Sequence, residues 1–336
     1  MLRAFITGLA GPELTVREAA VLRQARPCGV ILFARNIAEP GQVRRLVGDA
    51  AAAIGDEVLV LIDQEGGRVR RLRPPHWREL PPAAAYGAIY ARDRDEGLRA
   101  ARLAARLTAA DLRGLGINTD CAPVLDVPVA GSHEIIGDRA YGHDPGQVAA
   151  LGRAVAEGLM AGGVLPVIKH MPGHGRATAD SHTGLPVVGA GRAELEATDF
   201  AAFRALRDLP AAMTAHVVFS AIDPGAAASV SRRVTDEVIR GSIGFDGLLM
   251  SDDLGMAALE GSMAERAAAV IAAGSDVALL CSGNLSETEA VAGAVPRLDG
   301  RALQRYRAAC AVFGQQQPFD AAEAEACLAE ALRAVA

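Results

Sequence analysis

Short apolar segments recur along the chain, and stretches with helical spacing lie between most of them. In the stretch around residue 105, apolar side chains recur at steps of three and four, which places them on one face of a helix. The apolar segments have the length and the near-continuous hydrophobicity of strands that are buried on both faces. These eight segments are residues 4–8, 29–33, 58–62, 117–125, 164–168, 211–218, 248–250 and 277–280.

Eight buried strands that alternate with helices favour a (β/α)8 barrel over an open sheet with a separate second domain. No linker rich in serine and proline interrupts the sequence, and 336 residues fit one large barrel. We therefore expect an α/β protein with a single TIM-type barrel domain over residues 1–336, with C-terminal helices from about residue 302.

Composition and charge limit the kinds of molecule and cellular environment that we expect for this protein. Hydrophobic residues make up 51% of the chain and charged residues 22%, which is typical of a folded globular protein. The net charge of −6 comes from scattered charges, so no basic stripe predicts binding to nucleic acid. The longest run without charged residues spans 14 residues, 209–222, whereas a membrane helix needs about 20. With five widely spaced cysteines, no CxxC pair and no export signal, we expect reduced, buried thiols in a cytoplasmic protein.

In a barrel of this type, the active site lies at the C-terminal ends of the strands. Polar residues that directly follow the predicted strands are therefore the candidates for function. They are Asp63, Gln64, Glu65, Asp126, Lys169, His170, His216, Asp252 and Asp253.

The segment from Asp63 to Arg71 combines carboxylates and guanidinium groups around the paired glycines Gly66 and Gly67. The glycines allow a tight turn, so that groups of opposite charge can face each other across the mouth of the barrel. Such a ring of donors and acceptors could bind a sugar or another polyol. Taken alone, the segment is equally compatible with a salt-bridge network at the rim.

Three histidines, His170, His174 and His182, lie within 13 positions. The spacing of the first two would suit zinc on a helix, but Pro172 and the neighbouring glycines argue against a helix there. We therefore predict no metal. In an extended segment, Asp180 and His182 point to the same side, which would form a general acid/base pair, although a solvated turn is an alternative.

Two aspartates, Asp252 and Asp253, end the seventh predicted strand. Neighbouring strand residues face opposite sides, so only one carboxylate can point into the mouth, and we expect the other to cap the next helix. The sequence contains no fingerprint for a nucleotide, and no cofactor is predicted.

Several motifs, in order along the chain, together resemble glycoside hydrolase family 3. The resemblance is narrower still to the bacterial single-domain β-N-acetylhexosaminidases of peptidoglycan recycling in that family. The segments that carry it are Ile62-Asp63-Gln64-Glu65-Gly66-Gly67-Arg68-Val69, Ala122-Pro123-Val124-Leu125-Asp126-Val127, Lys169-His170-Met171-Pro172-Gly173-His174-Gly175, Asp180-Ser181-His182 and Ser251-Asp252-Asp253-Leu254.

The resemblance implies a retaining mechanism in which Asp252 is the nucleophile and His182, supported by Asp180, is the acid/base. It also implies a substrate, a terminal β-linked N-acetylglucosamine on a 1,6-anhydromuropeptide, and we expect a monomer with no membrane partner. The positions implied to bind substrate are Asp63, Arg71, Arg139, Lys169 and His170.

The chemistry of the residues agrees with this assignment. A retaining glycosidase ordinarily uses two carboxyl groups about 5 Å apart, whereas a histidine with a pKa near 6.5 serves as the acid near neutral pH without a shifted carboxyl. Attack by the substrate's own acetamido group remains open on chemical grounds.

Two other functions remain open from the residues alone. One is a metal-dependent amidohydrolase with ligands His170, His174, His216 and Asp252. The other is a sugar-binding barrel without catalysis, which would have no need for both Asp252 and the Asp180–His182 pair.

Overall fold

The computed structural model describes residues 1–55, 57–177 and 184–335. Its strands are β1 (Arg3–Gly8), β2 (Pro27–Leu32), β3 (Leu59–Ile62), β4 (Thr119–Asp120), β5 (Leu165–Pro166), β6 (Ile168–Met171), β7 (Val187–Val188), β8 (Ala211–Thr214), β9 (Val218–Phe219), β10 (Leu248–Asp253) and β11 (Val277–Leu280). Its helices are α1 (Val16–Ala25), α2 (Pro40–Ile54), α3 (Ala83–Arg92), α4 (Arg94–Arg113), α5 (Pro145–Ala161), α6 (Arg192–Ala197), α7 (Asp199–Ala205), α8 (Arg232–Val234, continued by a π-helical segment Thr235–Ser242), α9 (Met263–Ala272), α10 (Leu285–Ala294), α11 (Gly300–Cys310) and α12 (Ala321–Arg333).

The main sheet is parallel and returns upon itself. Its strand order is β5-β4-β3-β2-β1-β11-β10-β8-β6, and only Val167 separates the two end strands in the sequence. Residues 165–171 thus form one barrel strand, which pairs with β4 through its first half and with β8 through its second half. The predicted (β/α)8 barrel is confirmed.

Seven of the eight predicted strands have different bounds in the structure, and three of these segments are also interrupted or divided. The segment 117–125 keeps regular pairing only in β4, because Pro123 has no N–H to donate and Val124 makes an isolated bridge to Lys169. The segment 164–168 is interrupted at Val167 and extends to Met171. The segment 211–218 ends at Thr214, and Val218 belongs to a separate two-stranded sheet of β7 and β9.

The helices cover the barrel because their apolar faces match it. In α4, Ala101, Ala105 and Leu112 are buried while Arg99 and Arg102 face solvent, as the spacing predicts. The helix starts where the Asp93 side chain accepts a hydrogen bond from the backbone N–H of Glu96. Strands β1, β2 and β3 are almost wholly buried, so the barrel interior and its helical ring form one core.

Two expectations about the chain as a whole can be compared with this structure. All five cysteines are free, but only Cys28 and Cys121 are buried, while the other three are partly exposed. Among the described helices, none is both long enough and apolar enough to cross a bilayer.

Candidate active site

A cavity of about 220 Å³ opens at the C-terminal ends of the strands. The parallel strands all end at this rim, which is why side chains distant in sequence meet there. The lining residues are Ile31, Phe33, Asp63, Glu65, Arg68, Val69, Arg71, Ile135, Ile136, Arg139, Lys169, His170, His174, Met213, Asp252, Asp253, Met256, Leu279 and Cys281. Six predicted site residues, Asp63, Arg71, Arg139, Lys169, His170 and Asp252, are therefore in one place.

A cluster of five charged side chains forms one wall of the cavity. The Lys169 ammonium lies 2.8 Å from Asp63 Oδ1 and 2.6 Å from Glu65 Oε1. Arg139 binds both oxygens of Glu65 at 2.9 Å, and Arg71 binds Asp63 Oδ2 at 3.0 Å. Three cations thus share two carboxylates, and the wall carries one net positive charge.

Pairing keeps this cluster ionised although it is buried. Burial alone would raise the pKa of Asp63, but Lys169 and Arg71 outweigh it and hold that pKa well below its ordinary value. Burial would likewise raise the pKa of Glu65, and Lys169 and Arg139 lower it. Burial would lower the pKa of Lys169, and the two carboxylates raise it instead. The wall therefore presents fixed charges over the whole neutral pH range.

Asp126 orients His170 at the base of the cavity. The imidazole Nδ1 lies 2.7 Å from Asp126 Oδ2, so Nδ1–H donates to the carboxylate. The other oxygen, Oδ1, accepts the backbone N–H groups of His170 at 3.2 Å and of His174 at 2.7 Å. Burial would raise the pKa of Asp126, but the two histidines outweigh it and lower that pKa.

The tandem aspartates at the end of β10 differ in their surroundings. Asp252 Oδ1 accepts the N–H of Asp253 at 2.8 Å. Burial would raise the pKa of Asp252, but the neighbouring side chains of His170 and His216, together with that N–H, lower it. The Asp252 carboxylate is therefore ionised at neutral pH and lies in the cavity.

Asp253 also lines the cavity, contrary to the expectation that only one of the two would, but its hydrogen bonds hold the turn at the strand end. Its Oδ1 accepts the backbone N–H groups of Gly255 at 3.0 Å and Cys281 at 2.9 Å, and burial raises its pKa. The expectation that one aspartate caps the next helix is wrong, because α9 begins after Ser262, whose side chain accepts the N–H of Glu265. Asp253 caps the turn at the strand end, about ten residues too early for a helix cap.

Glu65 and Asp126 both follow predicted strands, but nothing in the sequence predicts their individual roles. Glu65 joins Lys169 to Arg139, and Asp126 holds His170. Buried carboxylates of this kind need cationic or N–H partners, but these partners lie 44 or more positions away in the sequence, so spacing along the chain gives no signal for either role. Asp180 and His182 lie outside the described residues.

The ligand set of the amidohydrolase alternative does not fit the histidine contacts. His216 Nε2–H donates to the Asp253 carbonyl at 2.9 Å, and its Nδ1 accepts from the Ser229 hydroxyl at 2.6 Å. Both ring nitrogens of His216 are therefore engaged. His170 lies in β6 and His174 follows Gly173 in a turn, so the two do not share a helix.

We expect activity to survive exhaustive chelation. In the described part of the chain, no group of three His, Cys, Asp or Glu side chains is arranged to hold a metal ion. Hydrolysis of an aryl β-N-acetylglucosaminide should be equal before and after dialysis against EDTA, with the metal content of both samples measured. A stoichiometric metal whose removal stops catalysis would instead support the amidohydrolase.

Comparison with known proteins decides the family. Residues 4–308 match the family described as Glycosyl hydrolase family 3 N terminal domain. A β-hexosaminidase from Bordetella avium is 39% identical over 278 residues, which cover 82% of this chain and 79% of that protein. The chain belongs to glycosyl hydrolase family 3. As a family member it is a glycoside hydrolase, which confirms the resemblance found in the sequence.

Solved structures of the family agree with the fold. NagZ from Neisseria gonorrhoeae in complex with N-trifluoroacetyl-D-glucosamine superposes with a TM-score of 0.84 at 30% identity, covering 99% of this chain and 97% of that one. The same neisserial protein has also been solved in complex with zinc ion, with a TM-score of 0.84 at 29% identity and the same coverage of both chains. This family 3 chain and the neisserial protein thus correspond over nearly their whole lengths.

Proposed function

We propose that the protein is a retaining exo-β-N-acetylglucosaminidase that removes terminal N-acetylglucosamine from muropeptides through a covalent glycosyl-aspartate. The observation that carries the proposal is the ionised Asp252 carboxylate at the strand end, inside a cavity lined by charged hydrogen-bonding groups. The hexosaminidase relatives and the sugar in the neisserial structure support the choice of substrate.

In the first step, an Asp252 oxygen forms a bond to the anomeric carbon while the glycosidic bond breaks. The departing oxygen takes a proton from a general acid, for which we propose the His182 imidazolium with Asp180 as its partner. In the second step, the neutral imidazole removes a proton from water, which attacks the anomeric carbon and releases Asp252. The first step leaves His182 neutral, as the second step requires, and the second step restores both the imidazolium and the free Asp252 carboxylate.

The charged wall is suited to hold the sugar ring during both steps. Hydroxyl groups can accept from Lys169, Arg71 and Arg139 and donate to Asp63, because all four groups are ionised and held in place by one another. Charge-assisted hydrogen bonds of this kind are about twice as strong as neutral ones. His170, held by Asp126, completes the set that we propose to bind substrate.

Electrostatics favours a histidine over a second carboxyl group as the general acid in this site. A second carboxylate about 5 Å from Asp252, as in ordinary retaining glycosidases, would disfavour the ionised nucleophile. An imidazolium has the opposite charge and favours it. Asp253 is adjacent in sequence, but its Oδ1 is already committed to two backbone N–H groups.

We expect an aryl β-N-acetylglucosaminide to be cleaved much faster than the corresponding aryl β-glucoside, because the proposed substrate carries the 2-acetamido group. The comparison of kcat/KM for the two substrates, which share one leaving group, measures this directly. Equal or better cleavage of the glucoside would contradict the proposed specificity.

The natural substrate is tested with cell-wall fragments. A disaccharide peptide with 1,6-anhydro-N-acetylmuramic acid should yield free N-acetylglucosamine and the anhydromuramoyl peptide, as identified by mass spectrometry. Cleavage of simple aryl substrates without cleavage of these fragments would leave a hexosaminidase that acts on another glycan.

We further propose that the protein acts as a monomer in the cytoplasm.

A further inference from the structure

The loop that follows β3 returns to its own starting point. Asp63 at its beginning binds the Arg71 guanidinium eight positions later, at 3.0 Å. Within the loop, the N–H of Glu65 donates to the carbonyl of Val69 at 3.0 Å. The Asp63–Arg71 pair therefore depends on a fold of the loop that brings Arg71 back beside the strand end.

The Gln64 side chain joins the two ends of this loop. Its Oε1 accepts the backbone N–H of Arg71 at 2.9 Å and that of Leu72 at 3.0 Å. Its Nε2 donates to the Leu72 carbonyl at 3.2 Å. The carboxamide thus makes three hydrogen bonds to the backbone of residues 71–72.

The backbone of Gln64 is fixed to the barrel as well. Its N–H donates to Asp120 Oδ1 at 3.0 Å, and Asp120 is a buried residue of β4. Gln64 is therefore attached through its main chain to the barrel and through its side chain to Arg71. Through Gln64, the backbone of Arg71 in the loop is therefore held at a fixed place relative to Asp120 in β4.

We infer that Gln64 is a positioning residue that places the Arg71 guanidinium against Asp63 and thereby shapes the sugar-binding wall. The inference rests on the proposed binding role of Asp63 and Arg71. Gln64 itself is absent from the cavity lining, whereas Asp63, its neighbour in the chain, and Arg71, whose N–H it binds, belong to it. It acts through Arg71.

The position requires a carboxamide of this length. Three backbone groups, two donors and one acceptor, face the side chain. Only a group that both accepts and donates satisfies all three, which glutamate cannot do when ionised. Methionine has nearly the same length and fills the same space but makes none of the three bonds, so Gln64→Met isolates their contribution.

For Gln64→Met we expect KM for an aryl β-N-acetylglucosaminide to rise about tenfold with kcat changed less than about threefold, because a loosened wall loses binding in the ground and transition states alike. Gln42→Met is the matched control. The Gln42 carboxamide also binds three backbone groups, at Ala38, Pro12 and Asn36, but Gln42 does not line the cavity. It should lower the melting temperature without raising KM.

A double-mutant cycle with Arg71→Ala separates positioning from general damage. If Gln64 acts through Arg71, Gln64→Met should add little to the loss that Arg71→Ala already causes. Losses that multiply in the double variant would overturn the inference. An Arg71→Ala variant with unchanged KM would show instead that the proposed sugar-binding wall is wrong.

Gln64→Glu keeps the test decisive if the methionine variant does not fold. Its carboxylate still accepts from the N–H groups of Arg71 and Leu72, but its second oxygen has no proton to donate to the Leu72 carbonyl. The rise in KM should be measurable but smaller than for Gln64→Met, with folding monitored by circular dichroism. An unchanged KM in either folded Gln64 variant, or a KM increase as large in Gln42→Met, would overturn the positioning role.

Discussion

Replacing Asp252 with asparagine is expected to lower kcat on the order of a thousandfold or more while the protein stays folded. The asparagine amide is a poor nucleophile, but its Oδ1 can still accept the N–H of Asp253 as the carboxylate does at 2.8 Å. The strand end therefore keeps its hydrogen bond. Steady-state kinetics and a thermal melt of the same preparation separate lost chemistry from lost structure.

The proposed intermediate provides a second measurement for the same residue. An activated fluorinated sugar should trap the glycosyl-enzyme, and peptide mapping should locate the label on Asp252. The matched control is Asp253→Asn, which keeps an acceptor for Gly255 and Cys281 and should retain both measurable turnover and the label. A label on Asp253, or undiminished activity of Asp252→Asn, would contradict the assignment.

The second large effect is expected for His182→Ala and depends on the leaving group. Residues 172–186 separate β6 from β7 in the sequence, a longer interval than most connections have, which favours a functional role for this segment. If His182 protonates the departing oxygen, its loss should cost much more for substrates with poor leaving groups than for activated aryl glycosides. A plot of log kcat/KM against leaving-group pKa should be steeper for the variant.

Asp180→Asn should show the same trend to a smaller degree, since the asparagine stabilises the imidazolium less than the carboxylate does. A uniform loss across the series for His182→Ala would show that the histidine binds substrate or supports the structure. Such a result would leave the role of Asp252 unaffected, because trapping of the intermediate tests that role separately.

The barrel could be predicted from the sequence because its signal is local. Each strand is a short apolar segment, and residues 277–280 match β11 at both ends. The strand bounds around Pro123 and Val167 were wrong because they depend on pairing between segments. No pattern within residues 164–168 indicates that this strand pairs first with β4 and then with β8.

The site could be predicted in part for the same reason. Strand ends located Asp63, Lys169 and Asp252 at one rim, and the structure brings them into one cavity. The pairing partners were not predictable, since Glu65 meets Arg139 across 74 positions. Chain topology brings such pairs together, whereas spacing in the sequence does not report them.

The barrel strand formed by residues 165–171 has a consequence for refolding. It carries Lys169, whose ammonium meets Asp63 directly after β3, across 106 positions. This ion pair forms only when both strands are in place in the barrel, so activity should return only with assembly of that part of the barrel. A sugar that contacts Lys169 and Asp63 binds only the folded barrel and should stabilise it by about 2.7 kcal/mol at a concentration of 100 times Kd. The proposed substrate thus helps to hold together two strands that are far apart in the sequence.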